Sequence, residues 1–287
     1  MPVTLAVVLA AVLTAAAVGA VSRTRRGPDP VDPAAEERWL VAWIGRRQRL
    51  KTLVRRLDRE IVGGVMLVVA LTVVFATALV VGLVFDMVDA ESGLAAWDRS
   101  VSEWGSRHAT ERSVRILDHI TDLGGTGVLT GAVIVVAAVD FARHRDRDVV
   151  LFLVVTLIGV VVVNNALKVL VGRERPPVEH LVGAAGASFP SGHSSAAAAA
   201  WFALALVVTR HQGRRRRAVA AGLAALVTVA VAASRVLLGV HWLTDVVAGV
   251  AVGYGWFVLS AVVFGGRLQR LGDPATHASE ADPSLQR

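Results

Sequence analysis

Apolar residues run along this chain in long stretches rather than in stripes. Seven stand out: 3–22, 61–85, 125–141, 149–171, 194–209, 218–237 and 243–264. A bilayer core about 30 Å thick needs roughly 20 apolar residues per helix. Most of these stretches lack a polar face, so the helices they form are apolar all round and suited to span rather than to lie on a surface. Segments 61–85 and 149–171 are nearly free of charge. Segments 125–141 and 194–209 are shorter and are expected to begin earlier, in the flanking turns. The run Ser194–Ala200 is rich in small residues, which suits close helix packing in lipid. The predicted fold class is therefore all-α, a polytopic membrane helix bundle.

The ends of the chain read differently. A secretory signal carries basic residues before its apolar core. Here Arg23, Arg25 and Arg26 follow the first stretch instead. This favours a retained helix at 3–22, with its N-terminus outside, over a cleaved signal. Segment 34–60 mixes Trp39, Leu40, Trp43, Ile44, Leu50, Leu53, Val54 and Leu57 with basic residues. It reads either as an amphipathic helix on the cytoplasmic membrane surface or as a solvated juxtamembrane helix. Residues 265–287 are expected to form a cytoplasmic tail, polar and disordered in character from 273 onward. The expected division is 1–60, 61–264 and 265–287.

Composition agrees with a membrane protein. Of 287 residues, 54% are apolar and 18% charged, and the mean hydropathy is +0.58. An average soluble domain has about a quarter charged residues. The absence of Cys excludes disulfides, thiolate zinc sites and a Cys nucleophile. The net charge is +7, and a pI near 11 in a soluble protein would suggest nucleic acid; in an apolar one it marks basic loops facing an anionic leaflet, so no nucleic-acid partner is expected. Location decides the point. Residues 23–59 carry 11 Arg/Lys, loop 142–148 three, loop 210–217 five and the tail after 264 three. Loop 86–124 carries four Arg against eight acids. The positive-inside rule then places the basic loops and the C-terminus in the cytoplasm. Loops 86–124, 172–193 and 238–242 fall on the extracytoplasmic face.

Three groups of polar residues interrupt the apolar chain, all on that face. The first runs from Lys168 through Arg173 and Arg175 to Pro176. Isolated basic residues at helix ends usually snorkel to headgroups. Here positive residues are otherwise scarce on the same face, which points to an anion clamp. The second is Ser188-Phe189-Pro190-Ser191-Gly192-His193, leading into an apolar stretch. A Pro-Ser-Gly turn before a helix leaves backbone N–H groups free at a positive helix end, suited to phosphate. An ordinary cap at Ser191 explains Ser191 and Gly192, but leaves His193 unexplained. The third runs from Ser234-Arg235 to His241 and Asp245. His241 and Asp245 are four apart, so a carboxylate can hold the imidazole tautomer and stabilise its cation. An unpaired Asp at a helix centre in the membrane costs about 2.5–3.5 kcal/mol; a place near the helix start lowers that cost.

Together these groups supply Lys168, Arg175 and Arg235 as cations, a nest of N–H groups at Ser191 and Gly192, two imidazoles and a carboxylate. That is an inventory for phosphoryl transfer through a covalent histidine: cations stabilise the non-bridging oxygens, one His attacks phosphorus, and the other protonates the leaving oxygen. It calls for no metal and no cofactor.

The three groups also make the sequence recognisable. It resembles the type 2 phosphatidic acid phosphatases, also called PAP2 or lipid phosphate phosphatases, which are related to vanadium haloperoxidases. Lys168 to Pro176 matches Lys-x6-Arg-Pro. Pro190 to His193 matches Pro-Ser-Gly-His. Ser234 through His241 to Asp245 matches Ser-Arg-x5-His-x3-Asp. The resemblance covers 61–264, a six-helix core, to which the N-terminal helix is an addition. It implies a metal-independent phosphatase. His241 would be the nucleophile, oriented by Asp245, and His193 the general acid. Lys168, Arg175, Ser191, Gly192 and Arg235 would hold the phosphate.

The expected function is hydrolysis of a lipid phosphate or pyrophosphate at the outer face of the plasma membrane. The Arg-rich, Ala/Val-rich composition suits a bacterial protein, with undecaprenyl pyrophosphate recycling as one job. Phosphatidic acid and phosphatidylglycerophosphate stay open as substrates. The competing readings are vanadate-dependent halide oxidation and lipid transport. Transporters carry their binding residues near the bilayer midplane, whereas these ionisable residues sit at helix ends.

Overall fold

The computed structural model describes residues 58–268. The expected span at 3–22, the basic segment up to residue 57 and the tail after 268 lie outside them. The described residues are all helical in their regular structure, with no strand. In chain order the helices are α1 (Asp58–Asp89), α2 (Asp98–Arg107), α3 (Glu111–Asp122), α4 (Thr126–His144), α5 (Arg147–Val171), α6 (Gly192–Thr209), α7 (Arg214–Leu237) and α8 (Leu243–Leu268). Six of these are long and apolar enough to cross a membrane: α1, α4, α5, α6, α7 and α8. They match the six stretches expected after residue 60. As anticipated, α6 begins before residue 194; α4 begins at residue 126 and extends further at its other end.

Helix α6 is the central post. It packs against α4, α5, α7 and α8. Its apolar window is 67% buried, against 6% for α1, which touches mainly α8 and turns the rest outward. The sequence explains the difference. The centre must admit four neighbours, and Ala197 to Ala200 have side chains short enough to let them approach. The outward helix carries large side chains instead, with Leu71, Phe75 and Leu83 at least half exposed. Gly253 on α8 lies against the backbone of Ser195, leaving no room for a Cβ. Further along α6, Phe202 packs on Tyr254 and Phe257 at ring separations of 5.0 and 5.8 Å.

The two ends of the bundle differ. At the Arg-rich end, Arg210 at the end of α6 donates to Asp140 of α4 at 3.0 Å. It also donates to Asp146 at 2.8 Å, and Asp146 caps α5. One guanidinium thus ties three helices together.

The opposite end carries α2 and α3, where the sequence reading expected only a loop. Both are short and half polar, so neither gives an apolar run. Thr110 and Ser113 close α3 with a reciprocal capping box, their backbone N–H groups donating to each other's hydroxyls. Val114, Leu117 and Ile120 form a stripe at helical spacing and pack against Leu237, Leu238 and Val240. This end also holds the loop from α5 to α6. It lacks regular structure but is tied down: the Ser188 N–H donates to Arg173 O at 2.8 Å, and the Leu181 N–H to Leu238 O at 3.1 Å.

Candidate active site

All three polar groups meet at the end that carries α2 and α3. Lys168 lies in the last turn of α5, and Arg173 and Arg175 in the loop that follows. Ser191 and Gly192 open α6, with His193 in its first turn. Arg235 lies in the last turn of α7, His241 in the turn after it, and Asp245 in the first turn of α8. Gly239 adopts φ +76°, a left-handed conformation that favours glycine, and its missing side chain leaves room for Glu179 O. That turn delivers His241 to α8.

His241 and Asp245 form the expected pair. His241 Nδ1 lies 3.4 Å from Asp245 Oδ2, and both side chains are buried. Arg175 Nη1 lies 3.4 Å from the other ring nitrogen, Nε2. A guanidinium can only donate, so this contact assigns the lone pair to Nε2 and the proton to Nδ1. Burial draws the His241 pKa from 6.5 down to about 4, even though Asp245 favours the protonated form. The ring is therefore neutral at ordinary pH, with its free electron pair facing the cations.

His193 is half-buried and makes no hydrogen bond through its ring to another described residue. Arg235, His241, Lys168 and Arg175 all lie within electrostatic reach of it. Arg235 is buried; its Nη1 donates to Thr121 on α3 at 3.1 Å, and its Nε has no hydrogen-bond partner among the described residues. A buried donor without an acceptor is costly, and a bound anion would satisfy it. Lys168 Nζ donates to Ala187 O at 2.5 Å. Arg175 donates to four carbonyls: Val240 at 2.5 Å, Ala185 at 2.8 Å, Gly186 at 3.1 Å and Ala187 at 3.5 Å. Burial also draws the Arg175 pKa down, with Asp245 opposing.

Ser191 is not an ordinary cap. Its side chain accepts no hydrogen bond from the α6 backbone and instead receives the Ser194 hydroxyl at 3.0 Å. Its backbone N–H donates to Asp245 O at 3.0 Å, joining the start of α6 to the first turn of α8. Asn164 glues helices as expected of a membrane amide, accepting from the Ser195 hydroxyl at 2.9 Å, whereas Asn165 is exposed. His180 is exposed and bonded to Pro176 O at 3.1 Å.

The sequence reading counted Arg173 only as part of the first basic group and gave no role to Asp98 or Thr244. Arg173 Nη1 donates to Asp245 Oδ1 at 2.6 Å and to Thr244 Oγ1 at 2.7 Å; its Nη2 donates to Asp98 Oδ2 at 2.8 Å. Arg173 lies inside the first motif, but Asp98 is one of eight acids in 86–124 with no spacing to distinguish it.

Comparison with known proteins agrees with the motifs. Residues 149–268 match the model of the PAP2 superfamily. The chain is 33% identical over 149 residues to phosphatidylglycerophosphatase B of Bacillus subtilis, covering 50% of this chain and 71% of that protein. It is 35% identical over 124 residues to lipid A 1-phosphatase of Rhizobium etli, covering 39% of this chain and about half (49%) of that protein. The crystal structure of a transmembrane PAP2-type phosphatidylglycerolphosphate phosphatase from Bacillus subtilis shares the fold. Its TM-score is 0.60 at 23% identity, over 71% of this chain and 98% of that one. With six spans among the described residues, three intact motifs and these relatives, the chain belongs to the PAP2 superfamily and is a multi-pass membrane phosphatase.

Proposed function

We propose that this phosphatase removes a terminal phosphate from a membrane lipid through a phosphohistidine at His241, on the extracytoplasmic face. The observation that carries the reading is the orientation of His241: its lone-pair nitrogen faces Arg175 inside a group of cations, while its protonated nitrogen faces Asp245.

The steps follow from that geometry. Lys168, Arg175, Arg235 and the first N–H groups of α6 hold the non-bridging oxygens, supplying the charge stabilisation that a metal supplies elsewhere. His241 Nε2 attacks phosphorus as the bond to the leaving oxygen breaks, and His193 gives that oxygen a proton. Asp245 stabilises the positive ring that forms. Water then attacks the phosphohistidine, His193 takes its proton, the P–N bond breaks and phosphate leaves. No cofactor takes part.

The relatives support a lipid phosphomonoester: one is named for phosphatidylglycerophosphate, the other for the 1-phosphate of lipid A. A polyprenyl pyrophosphate such as undecaprenyl pyrophosphate presents the same terminal phosphate and belongs in the same substrate class. The distribution of charge supports an outward-facing site and a cytoplasmic C-terminus.

The test is phosphate release by purified protein against a panel of glycerolipid and polyprenyl phosphates, with EDTA present. Release is expected to persist in EDTA, to disappear in His241→Ala, and to be accompanied by acid-labile label on the protein from a labelled substrate. Full activity in His241→Ala would sink the mechanism.

A further inference from the structure

The nucleophilic pair has a second carboxylate behind it. Asp245 is fully buried and uses both oxygens. Oδ2 accepts the Trp242 N–H at 3.0 Å and faces His241 Nδ1, while Oδ1 accepts Arg173. Left as a simple pair, Arg173 would neutralise Asp245, which would then have little charge to offer an imidazolium. Asp98 prevents this. Its Oδ2 accepts Arg173 at 2.8 Å and the Thr244 hydroxyl at 2.6 Å, and its Oδ1 accepts the Thr244 N–H at 2.9 Å. Two buried carboxylates thus share one guanidinium, and the cluster keeps a net charge of about one negative unit next to His241. Arg173 is fixed from the remaining side by the Trp242 ring, 5.2 Å from its guanidinium carbon, and the Trp242 indole N–H donates to Glu174 O at 3.0 Å.

We propose that Asp98 and Arg173 are positioning residues for the His241–Asp245 pair: Arg173 fixes the rotamer of Asp245, and Asp98 offsets the charge of Arg173 so that Asp245 still acts as an anion toward His241. The inference deepens the phosphohistidine reading and rests on it. It also gives α2 a function. That helix begins at Asp98, which reaches the first turn of α8 and holds its Thr244 N–H.

The alternative is a clasp that merely ties α2 to α8. The two differ in the sign of their electrostatic effects. The charged and titratable groups facing His241 are Asp245 on α8, Arg175 in the loop, Arg235 on α7 and His193 on α6. Lys168 on α5 adjoins Arg175, and Asp118 on α3 acts on Arg235. None of these changes in the variants proposed below.

The experiment follows the His241 ring by NMR in detergent-solubilised, 15N-histidine-labelled full-length protein, a readout that needs no substrate. Asp98→Asn removes a negative charge and is expected to move the His241 transition to lower pH. Arg173→Gln removes a positive charge and is expected to move it to higher pH, each by on the order of one pH unit. The double variant should return toward the parent. With a turned-over lipid phosphate, Asp98→Asn should lower kcat about 10- to 100-fold and leave KM within about twofold, because neither residue touches the substrate. Shifts of one sign in both single variants, or none, overturn the proposal; so does a loss seen in KM alone. Asp98→Asn preserves shape and carries the test by itself where Arg173→Gln does not fold. Failure of the phosphohistidine reading would appear elsewhere, as an active His241→Ala protein.

Discussion

His241 shows how much a single side chain can reveal once its neighbours are fixed. Its tautomer follows from a partner that can only donate, and its neutrality follows from burial. The sign of the pH effect follows as well. A histidine whose pKa falls on folding, from 6.5 to about 4, contributes stability that is fully present above about 6.5 and is lost as the pH drops through about 4. The acid limb of kcat/KM that reports His241 is therefore expected near pH 4, and thermal stability should decline across the same window more in the parent than in His241→Asn. A limb near 6.5 would contradict the buried, neutral ring. At this scale the motif residues were legible because neighbours along one helix or turn are fixed by covalent spacing. His241 and Asp245 had to share a face. Arg173 and Asp98 were not legible as partners, since 75 positions separate them and only the folded bundle brings them to 2.8 Å.

Among the elements, the spanning helices were readable because a membrane span must be apolar along its whole length. Helices α2 and α3 escaped because each turn of theirs is partly wet, and their apolar positions form a stripe of two or three residues rather than a run. The small residues of α6 were read as a sign of close packing, and the packing is there. What the sequence could not say is which partner comes closest. It is α8, through Gly249 against Ser191 and Gly253 against Ser195. A side chain at Gly253 would have to push α8 away from α6. Gly253→Leu is expected to destabilise the protein by about 1–3 kcal/mol or more. It should also lower activity, because Asp245 on α8 and Ser191 at the start of α6 are joined by a single backbone hydrogen bond. Thermal melts and phosphate release check both, and an unchanged melting temperature would mean that the interface yields.

At the scale of the molecule, the six described spans put every polar motif at one end and Arg210 with Arg214 to Arg217 at the other. That separation was legible from loop charge alone, although charge sets only a direction. The absence of cysteine makes the direction easy to test. Ser92 near the site end and Arg215 at the basic end are both exposed, and each can be changed to the sole cysteine of the chain. A membrane-impermeant maleimide is expected to label Ser92→Cys in intact cells and Arg215→Cys only after lysis. The reverse pattern would turn the site inward.

The hydrogen bonds that occupy the proposed clamp would have a consequence for selectivity in a crowded bilayer. Lys168 and Arg175 donate to carbonyls of their own loop and turn: Ala187, Ala185, Gly186 and Val240. On the proposed function, an incoming headgroup would compete with the acceptors of Arg175, whose three nitrogens are all engaged, and binding would reflect the difference between the two sets of bonds. Bulk phospholipids are diesters, with one negative charge and two free oxygens, and they vastly outnumber any lipid that ends in a phosphate. A terminal phosphate brings a third oxygen and up to a second charge, so in the proposed site it would gain more from the same three cations. If the proposed clamp holds the headgroup, its existing hydrogen bonds would set a threshold that the abundant diesters meet poorly and the rare monoesters meet well.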